Sequence, residues 1–207
     1  MKNIVFCLLS LMILLAVMAA YQLSKFFSAS TGAKIPKYQN PKAALLVMDM
    51  QKEFEHHQKI LEPVNKAIEL FASKKDAIIY IKTEYDRSDY ILNFIRKNSA
   101  VKGSPAIEFS ENLKMASGNI FSKNRMDAFS NSALDEFLLK NEIGRIYIAG
   151  LDGCYCVNKT TRAALNRGYD VTLIADAIAA KSDEKFAAAI SELKALGAKA
   201  MTLSDIK

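Results

Sequence analysis

Cysteine and histidine are scarce in this sequence, and their scarcity argues against two classes of protein. The 207 residues include three cysteines and two histidines. Cys7 lies in an apolar N-terminal segment, so the rest of the chain has no disulfide framework apart from a strained pairing of Cys154 with Cys156. The same strain disfavours a Cys-x-Cys redox site. No Cys/His spacing is typical of zinc, so we interpret the cysteines as thiols and predict no metal and no other cofactor.

Acidic residues are absent from residues 1–37, which contain four lysines and account for most of the net charge of +6. The rest of the chain contains 24 of the 28 lysines and arginines and all 22 acidic residues. The remainder is therefore nearly neutral, and no stripe of basic residues alternates with aromatic ones. The sequence predicts no nucleic-acid partner.

Charged residues are also absent between Lys2 and Lys25, where residues 4–20 form a nearly continuous apolar run. At about 1.5 Å per residue, such a helix can span the ~30 Å hydrocarbon layer of a membrane. The nearest cleavage site for a signal peptidase, Val17-Met18-Ala19, has a bulky first residue and is a poor match. We predict that residues 1–23 form an uncleaved, single-pass membrane anchor; a signal peptide and a buried core helix are the alternatives.

The basic residues on the two sides of this segment are nearly balanced in number, and their count slightly favours a cytoplasmic location for the domain that follows. A short leader with one lysine, however, is the usual form of an export signal. We therefore expect the domain that follows to be exported, in a periplasmic or other extracytoplasmic location.

The rest of the chain shows a tether followed by one domain. Residues 24–41 mix Ser, Gly, Pro and Lys without periodicity, which predicts a tether. In residues 42–207, short apolar runs alternate with helical patterns, which predicts a Rossmann-like, three-layer α/β/α domain with a mostly parallel sheet. The predicted strands are residues 43–48, 77–82, 119–123, 145–150, 169–176 and 198–203. The predicted helices are residues 62–75, 89–97, 132–141 and 182–196, and one after the turn at residues 150–153.

Ligands of such sheets bind beyond the carboxyl ends of the strands, near the point where the strand order reverses. Asp49 follows the first strand, Lys123 ends the third, and Asp176 ends the fifth, where we interpret it as a turn or cap residue. Cys154 and Cys156 follow the fourth strand across a glycine turn. A helix N-terminus or a nearby cation lowers the pKa of a thiol, which favours Cys156 as a nucleophile but leaves Cys154 open.

Three sequence blocks, ALLVMDMQKEF, SKNRMDAFSNSALDEFL and IYIAGLDGCYCVNKTTRAALNRGYDVTLIADAIAA, occur in this order. Together they resemble the isochorismatase-like cysteine hydrolase superfamily, which includes nicotinamidases, carbamoylsarcosine amidases and ureidoacrylate hydrolases. The similarity covers about residues 42–204. It implies a catalytic triad of Asp49, Lys123 and Cys156, with Cys156 as the nucleophile. It also implies a non-proline cis peptide at Leu151-Asp152 and an oxyanion site formed by the amides of Asp152 and Cys156.

The resemblance implies a metal-independent hydrolase that cleaves a C–N bond of a small amide or ureide through a thioester acyl-enzyme. Phe54, Tyr85 and Tyr155 are candidate substrate-binding residues. Assembly into a homo-oligomer is left open. The alternative is a non-catalytic, membrane-tethered binding or scaffold protein of the same fold.

Two features depart from the pattern of this superfamily. Nicotinamidases bind a metal through an Asp/His cluster after the second strand, where this chain has TEYDRSDY. Its only histidines, His56 and His57, lie elsewhere and are interpreted as a solvated loop pair, so no metal site is implied. After Thr160 the chain has Thr161, Arg162 and Ala163 in place of the usual acidic residue and alanine, which affects a helix contact and no catalytic role.

Overall fold

The structure is a computed structural model that describes residues 2–54 and 57–206. His56 and the side chain of His57 lie outside the described residues; the backbone of His57 begins the second helix, so the prediction of a loop pair is wrong for that residue. The helices are α1 (Lys2–Phe27), α2 (His57–Ser73), α3 (Tyr90–Ile95), α4 (Ser132–Lys140), α5 (Cys156–Arg167) and α6 (Asp183–Ala195). The strands are β1 (Lys42–Met48), β2 (Ala77–Thr83), β3 (Ile120–Lys123), β4 (Ile143–Gly150), β5 (Asp170–Ile178) and β6 (Lys199–Met201).

The six strands form one sheet in the order β3-β2-β1-β4-β5-β6, and each pair of neighbours is parallel. The order reverses between β1 and β4, so the ends of these two strands mark the switch point where ligands of such sheets bind. The predicted Rossmann-like fold with a mostly parallel sheet is confirmed.

The sheet is buried on both faces, which explains why its strands are continuous apolar runs. In β1, every residue from Ala43 to Met48 is buried. Leu45 and Val47 pack on the face that α2 covers, whereas Leu46 and Met48 pack on the face that α4 and α5 cover. Two helical layers therefore enclose the sheet and leave its carboxyl edge to form a site.

Capping residues fix the end of helix α5 and the start of helix α6. Gly168 ends α5 in the left-handed region, with φ of 88°, and the Ser182 hydroxyl caps α6 by accepting a hydrogen bond from the amide of Lys185. Arg162, which departs from the superfamily pattern, joins the two helices through an ion pair with Glu192 at 2.8 Å.

Asp176 is a strand residue rather than a turn or cap at a strand end. Strand β5 continues beyond it to Ile178, and Asp176 is exposed. Its carboxylate accepts a hydrogen bond from the amide of Leu203 at 2.9 Å. It therefore fastens the segment after β6 and lies apart from the candidate site.

Helix α1 is long and apolar enough to cross a membrane, over Ile4–Phe27. Residues 4–18 are all exposed, so the alternative of a buried core helix is wrong. The helix also runs four residues beyond the predicted end of the anchor. Its last turn differs from the rest, because Phe26 is buried against the domain.

Residues 28–41 contain no helix or strand, yet they are bound to the domain along their length. The amide of Ser30 donates to Asp127 at 2.7 Å, and its carbonyl accepts from Arg167 at 3.2 Å. The amide of Ile35 donates to the carbonyl of Arg167 at 2.8 Å. Arg167 is buried and also pairs with Asp135 at 2.8 Å. The predicted tether thus lies along the domain as a strap.

Candidate active site

Asp49 lies directly after β1, where the chain leaves the sheet at the switch point. Its backbone has a φ of 52°, which is uncommon for a residue other than glycine, and its side chain is 2% exposed. One carboxylate oxygen accepts from the Thr83 hydroxyl at 2.8 Å, and the other lies 2.9 Å from Nζ of Lys123. The carboxylate is therefore fixed in position by the ends of two neighbouring strands.

Lys123 ends β3 and directs its ammonium group into the same buried cluster. Its Nζ lies 2.5 Å from the Thr83 hydroxyl, 3.2 Å from the carbonyl of Arg125 and 3.3 Å from Sγ of Cys156. Burial opposes the charge, but the carboxylate of Asp49 and the sulfur of Cys156 outweigh that effect and raise the pKa of Lys123. The lysine is thus a cation in contact with both the acid and the thiol.

Two residues that sequence reasoning gave no role complete this cluster. Thr83, the last residue of β2, donates to Asp49 and accepts from Lys123 through one hydroxyl. Gln51 is fully buried; its amide nitrogen donates to the carbonyls of Thr83 and Ile107, and its oxygen accepts from the amide of Thr83. Thr83 lies at a strand end, but in the sequence nothing distinguishes it from an ordinary β-branched strand residue.

Thr83→Val should lower kcat by roughly 10–100-fold with little change in KM, because the variant loses hydrogen bonds to two charged groups worth about 1.5–3 kcal/mol. Valine keeps the shape of threonine, so the fold should persist. Thr83→Ser restores the hydroxyl and should recover most of kcat. Steady-state kinetics of the three proteins test this, and equal kcat for Thr83→Val and the parent would show that the hydroxyl has no positioning role.

Cys156 is the first residue of α5, reached from β4 across a tight turn. The carbonyl of Asp152 accepts from the amides of Tyr155 and Val157, at 3.0 and 3.1 Å, which closes the turn onto the helix. One helical turn later, the Thr160 hydroxyl accepts from the amide of Ala128 at 3.0 Å. This bond ties the start of α5 to the loop after Lys123 and so brings the thiol and the ammonium group together.

The thiol of Cys156 differs from the sequence prediction in its protonation. Burial raises its pKa to about 11, and the nearby cation of Lys123 offsets only part of this shift. The nearby carboxylate of Asp49 raises the pKa of the thiol further. The expectation of a lowered pKa is therefore wrong: at neutral pH the resting sulfur is a protonated thiol held beside a carboxylate.

The turn before Cys156 contains a cis peptide bond between Leu151 and Asp152, as the resemblance implied. Leu151, Asp152 and Cys156 line one cavity. The amide of Cys156 lies in the first turn of α5, where N–H groups have no acceptor within the helix. Both residues of the predicted oxyanion site, Asp152 and Cys156, thus line the cavity, and the role of their amides stays a prediction.

Cys154 occupies a different environment from Cys156. Its amide is bound by the carboxylate of Asp152 at 2.8 Å, and its sulfur lies 4.0 Å from the carbonyl of Ser182. Burial raises the pKa of this thiol as well. Cys154 does not contribute to the described lining of the cavity, so the structure brings Cys156, and not Cys154, to Asp49 and Lys123.

The cavity above the thiol has a volume of about 590 Å³. Phe54 and Tyr155 line it, in agreement with their selection as candidate substrate-binding residues. Tyr85 does not: it is fully buried behind the wall, and Arg96, which does line the cavity, stacks on its ring at 4.0 Å. Burial raises the pKa of Tyr85 to about 12. The Tyr85 ring therefore packs in the protein interior and does not line the cavity.

The segment between β2 and β3 supplies several cavity residues that the sequence did not reveal. Arg96, Lys97 and Ser99 line the wall, and the Glu53 carboxylate, which also lines it, accepts from the amide of Ala100 at 2.8 Å. Lys181 also lines the cavity. Three cationic side chains therefore surround the space above the thiol.

Metal ligands do not cluster in the part of the chain that the structure describes: over residues 2–54 and 57–206 no group of three or more His, Cys, Asp and Glu side chains converges. In the segment TEYDRSDY, the carboxylate of Asp86 instead binds the amide and hydroxyl of Ser88.

Comparison with known proteins identifies relatives of this chain and of its fold. Residues 43–205 match the family described as "Isochorismatase domain". An uncharacterized isochorismatase family protein of Bacillus subtilis is 33% identical over 147 residues, which cover 67% of this chain and 74% of that protein. A "Probable inactive nicotinamidase" of Arabidopsis thaliana is 28% identical over 182 residues, covering 78% of this chain and 93% of that protein.

Solved structures show the same fold. The pyrazinamidase of Pyrococcus horikoshii, in complex with zinc, has a TM-score of 0.70 and 28% identity, covering 79% of this chain and all of that one. The N-carbamoylsarcosine amidase of Thermoplasma acidophilum has a TM-score of 0.70 and 27% identity, covering 78% of this chain and 96% of that one.

Proposed function

Because this chain belongs to the isochorismatase family and has the fold of its amidases, we propose that it is a hydrolase that cleaves the C–N bond of a small amide or ureide. The observation that carries this proposal is the buried contact of Lys123 with both Asp49 and Cys156 at the switch point. A buried lysine is costly unless its charge is used or compensated. Here it contacts a carboxylate and a thiol that both face a cavity.

The proposed reaction begins with the protonated thiol of Cys156. Asp49 accepts the proton as Sγ attacks the carbonyl carbon, and the ammonium group of Lys123 stabilises the sulfur as its charge develops. The amides of Asp152 and Cys156 donate hydrogen bonds to the oxyanion. Asp49 returns the proton to the departing nitrogen, which leaves a thioester on Cys156. Water, deprotonated by Asp49, then attacks the thioester and releases the acid and the free thiol.

The cellular location of the protein is part of the proposal. The apolar, exposed helix α1 supports a membrane anchor, and the short basic leader before it supports an exported domain. A non-catalytic binding role is the second candidate, supported by the relative described as a probable inactive nicotinamidase.

A screen of small amides and ureides, coupled to mass spectrometry of the intact protein, tests the proposed function. We expect one substrate class to add an acyl group to Cys156 during turnover, and we expect EDTA to leave the rate unchanged because the described donor set holds no metal cluster. Turnover without an adduct, or its loss in EDTA, would contradict the thioester route. Binding without turnover or adduct would favour the non-catalytic role.

A further inference from the structure

Helix α3 carries its apolar side chains outward, which is the reverse of a helix that packs on a protein core. Tyr90 is 79% exposed, Phe94 84%, Ile91 49% and Ile95 51%, whereas the polar Asn93 is buried. A helix on a globular surface normally turns its apolar stripe inward and its polar residues outward. Within the part of the chain that the structure describes, nothing covers this face of α3.

The four exposed side chains form one patch. Tyr90 and Phe94 are four residues apart, as are Ile91 and Ile95, so each pair is adjacent along the helix surface. Contiguous apolar patches of this kind mark sites of protein or membrane contact, whereas scattered apolar residues do not.

The inner side of α3, opposite the patch, packs against the end of the apolar helix α1. Leu92, on the inner side of α3, packs in the same cluster as Phe26 of α1. The guanidinium of Arg96, one residue after α3, lies 5.5 Å from the centre of the Phe26 ring. The carbonyl of Phe26 accepts from the amide of Met126 at 3.4 Å. Helix α3 is therefore fastened to the last turn of α1, beside Lys25, the first charge after the apolar run.

The charge around the patch suits a membrane surface. Residues 86–102 contain four basic residues and two acidic ones. Arg87 and Lys102 line a groove of about 440 Å³ together with Tyr90 and Phe94. Helices that lie in the membrane interface combine a basic border with large apolar and aromatic residues in this way.

We propose that this face of α3 (Tyr90, Ile91, Phe94 and Ile95) docks into the headgroup region of the membrane that α1 spans. The partner is a phospholipid bilayer whose anionic headgroups meet Arg87 and Lys102. The proposal rests on the anchoring of α1 and is independent of the chemistry at Cys156.

Docking has a consequence for the cavity. Arg96, Lys97 and Ser99 follow α3 directly and form part of the cavity wall. Part of the cavity wall therefore belongs to the segment that contacts the membrane, so the docked protein holds its cavity beside the headgroup layer.

The absence of tryptophan from the chain makes a direct test possible, because a single introduced tryptophan is the only one. The full chain carrying Phe94→Trp is placed in unilamellar vesicles of phosphatidylcholine and phosphatidylglycerol, with the phosphatidylcholine brominated near the headgroup end of its acyl chains. We expect blue-shifted emission and loss of most of its intensity relative to vesicles without bromine.

Two matched variants make the result decisive. Leu196→Trp replaces a residue that is 53% exposed at the opposite edge of the sheet, and its emission should not change with bromine. Leu14→Trp lies within α1 and should be quenched when bromine is placed deep in the acyl chains. If Leu14→Trp is quenched and Phe94→Trp is not, the docking of α3 is wrong and the membrane anchoring of α1 is supported. If the Phe94→Trp emission is also blue-shifted without quenching, a second copy of the protein covers this face instead of lipid. If neither is quenched, anchoring and docking fall together.

Discussion

Cys156→Ala should abolish turnover, with kcat lower by roughly 10⁴-fold or more, and should also abolish alkylation of the cavity by a small electrophile. The side chain removed carries the sulfur that lies 3.3 Å from Nζ of Lys123. Alanine fits the same space, so the free energy of unfolding should change little compared with the loss of activity.

Cys154→Ala is the matched control for this experiment. Its sulfur lies two residues away, is partly buried, and points to the carbonyl of Ser182 instead of the cavity. The variant should keep most of its activity and its alkylation. Rates and the mass of the alkylated protein, measured for both variants, decide between the two thiols; an inactive Cys154→Ala beside an active Cys156→Ala would overturn the assignment.

Lys123→Met should lower kcat by orders of magnitude and also destabilise the protein by about 3–5 kcal/mol, because it leaves the buried carboxylate of Asp49 without its cation. The ion pair is 2.9 Å long and both side chains are almost fully buried. Asp49→Asn should lower kcat as severely, since an amide cannot carry the proton. The double variant Asp49→Asn/Lys123→Met should be no less active than either single variant, because the groups act as a unit.

Stability of these variants against denaturant, measured as a function of pH, provides an independent check. The folded pKa of Lys123 is raised, so its contribution to stability is fully present below its ordinary pKa and is lost as pH rises through the folded value. The parent protein should therefore lose stability in alkaline solution to a greater extent than the double variant. A charged lysine in this cluster would be contradicted if the free energy of unfolding fell equally with rising pH in the parent and in the double variant. It would also be contradicted if Lys123→Met were as stable as the parent.

The sequence was sufficient to select Asp49 and Lys123 as candidates because both lie at the ends of predicted strands. Strands buried on both faces are continuous apolar runs, and polar residues at the ends of such runs meet at one edge of a parallel sheet. Asp49 and Lys123 could be selected on that basis before any contact was known. The sequence blocks then separated Cys156 from Cys154, which position alone had left open.

Other features depended on contacts between distant segments, which local patterns do not encode. The hydroxyl of Thr83 joins two strand ends, and nothing in its neighbours distinguishes it from a threonine chosen for β-structure. Tyr85 and Arg96 stack on each other in a segment without a recognisable motif. The sequence therefore could not predict that Tyr85 is buried and that Arg96 lines the cavity. The pKa of Cys156 was misjudged because the sequence indicates the helix start but not the depth of burial.

The strap of residues 28–41 has a consequence for where the protein can be divided. The family match begins at residue 43, yet Asp127 and Arg167, which lie well inside the matched region, bind Ser30 and Ile35. A soluble form cut at the family boundary would remove Phe26 from beneath the cavity wall and leave the buried guanidinium of Arg167 without one of its acceptors. Recombinant soluble forms should therefore begin upstream of Phe26, because the unit that folds is longer than the unit that family members share.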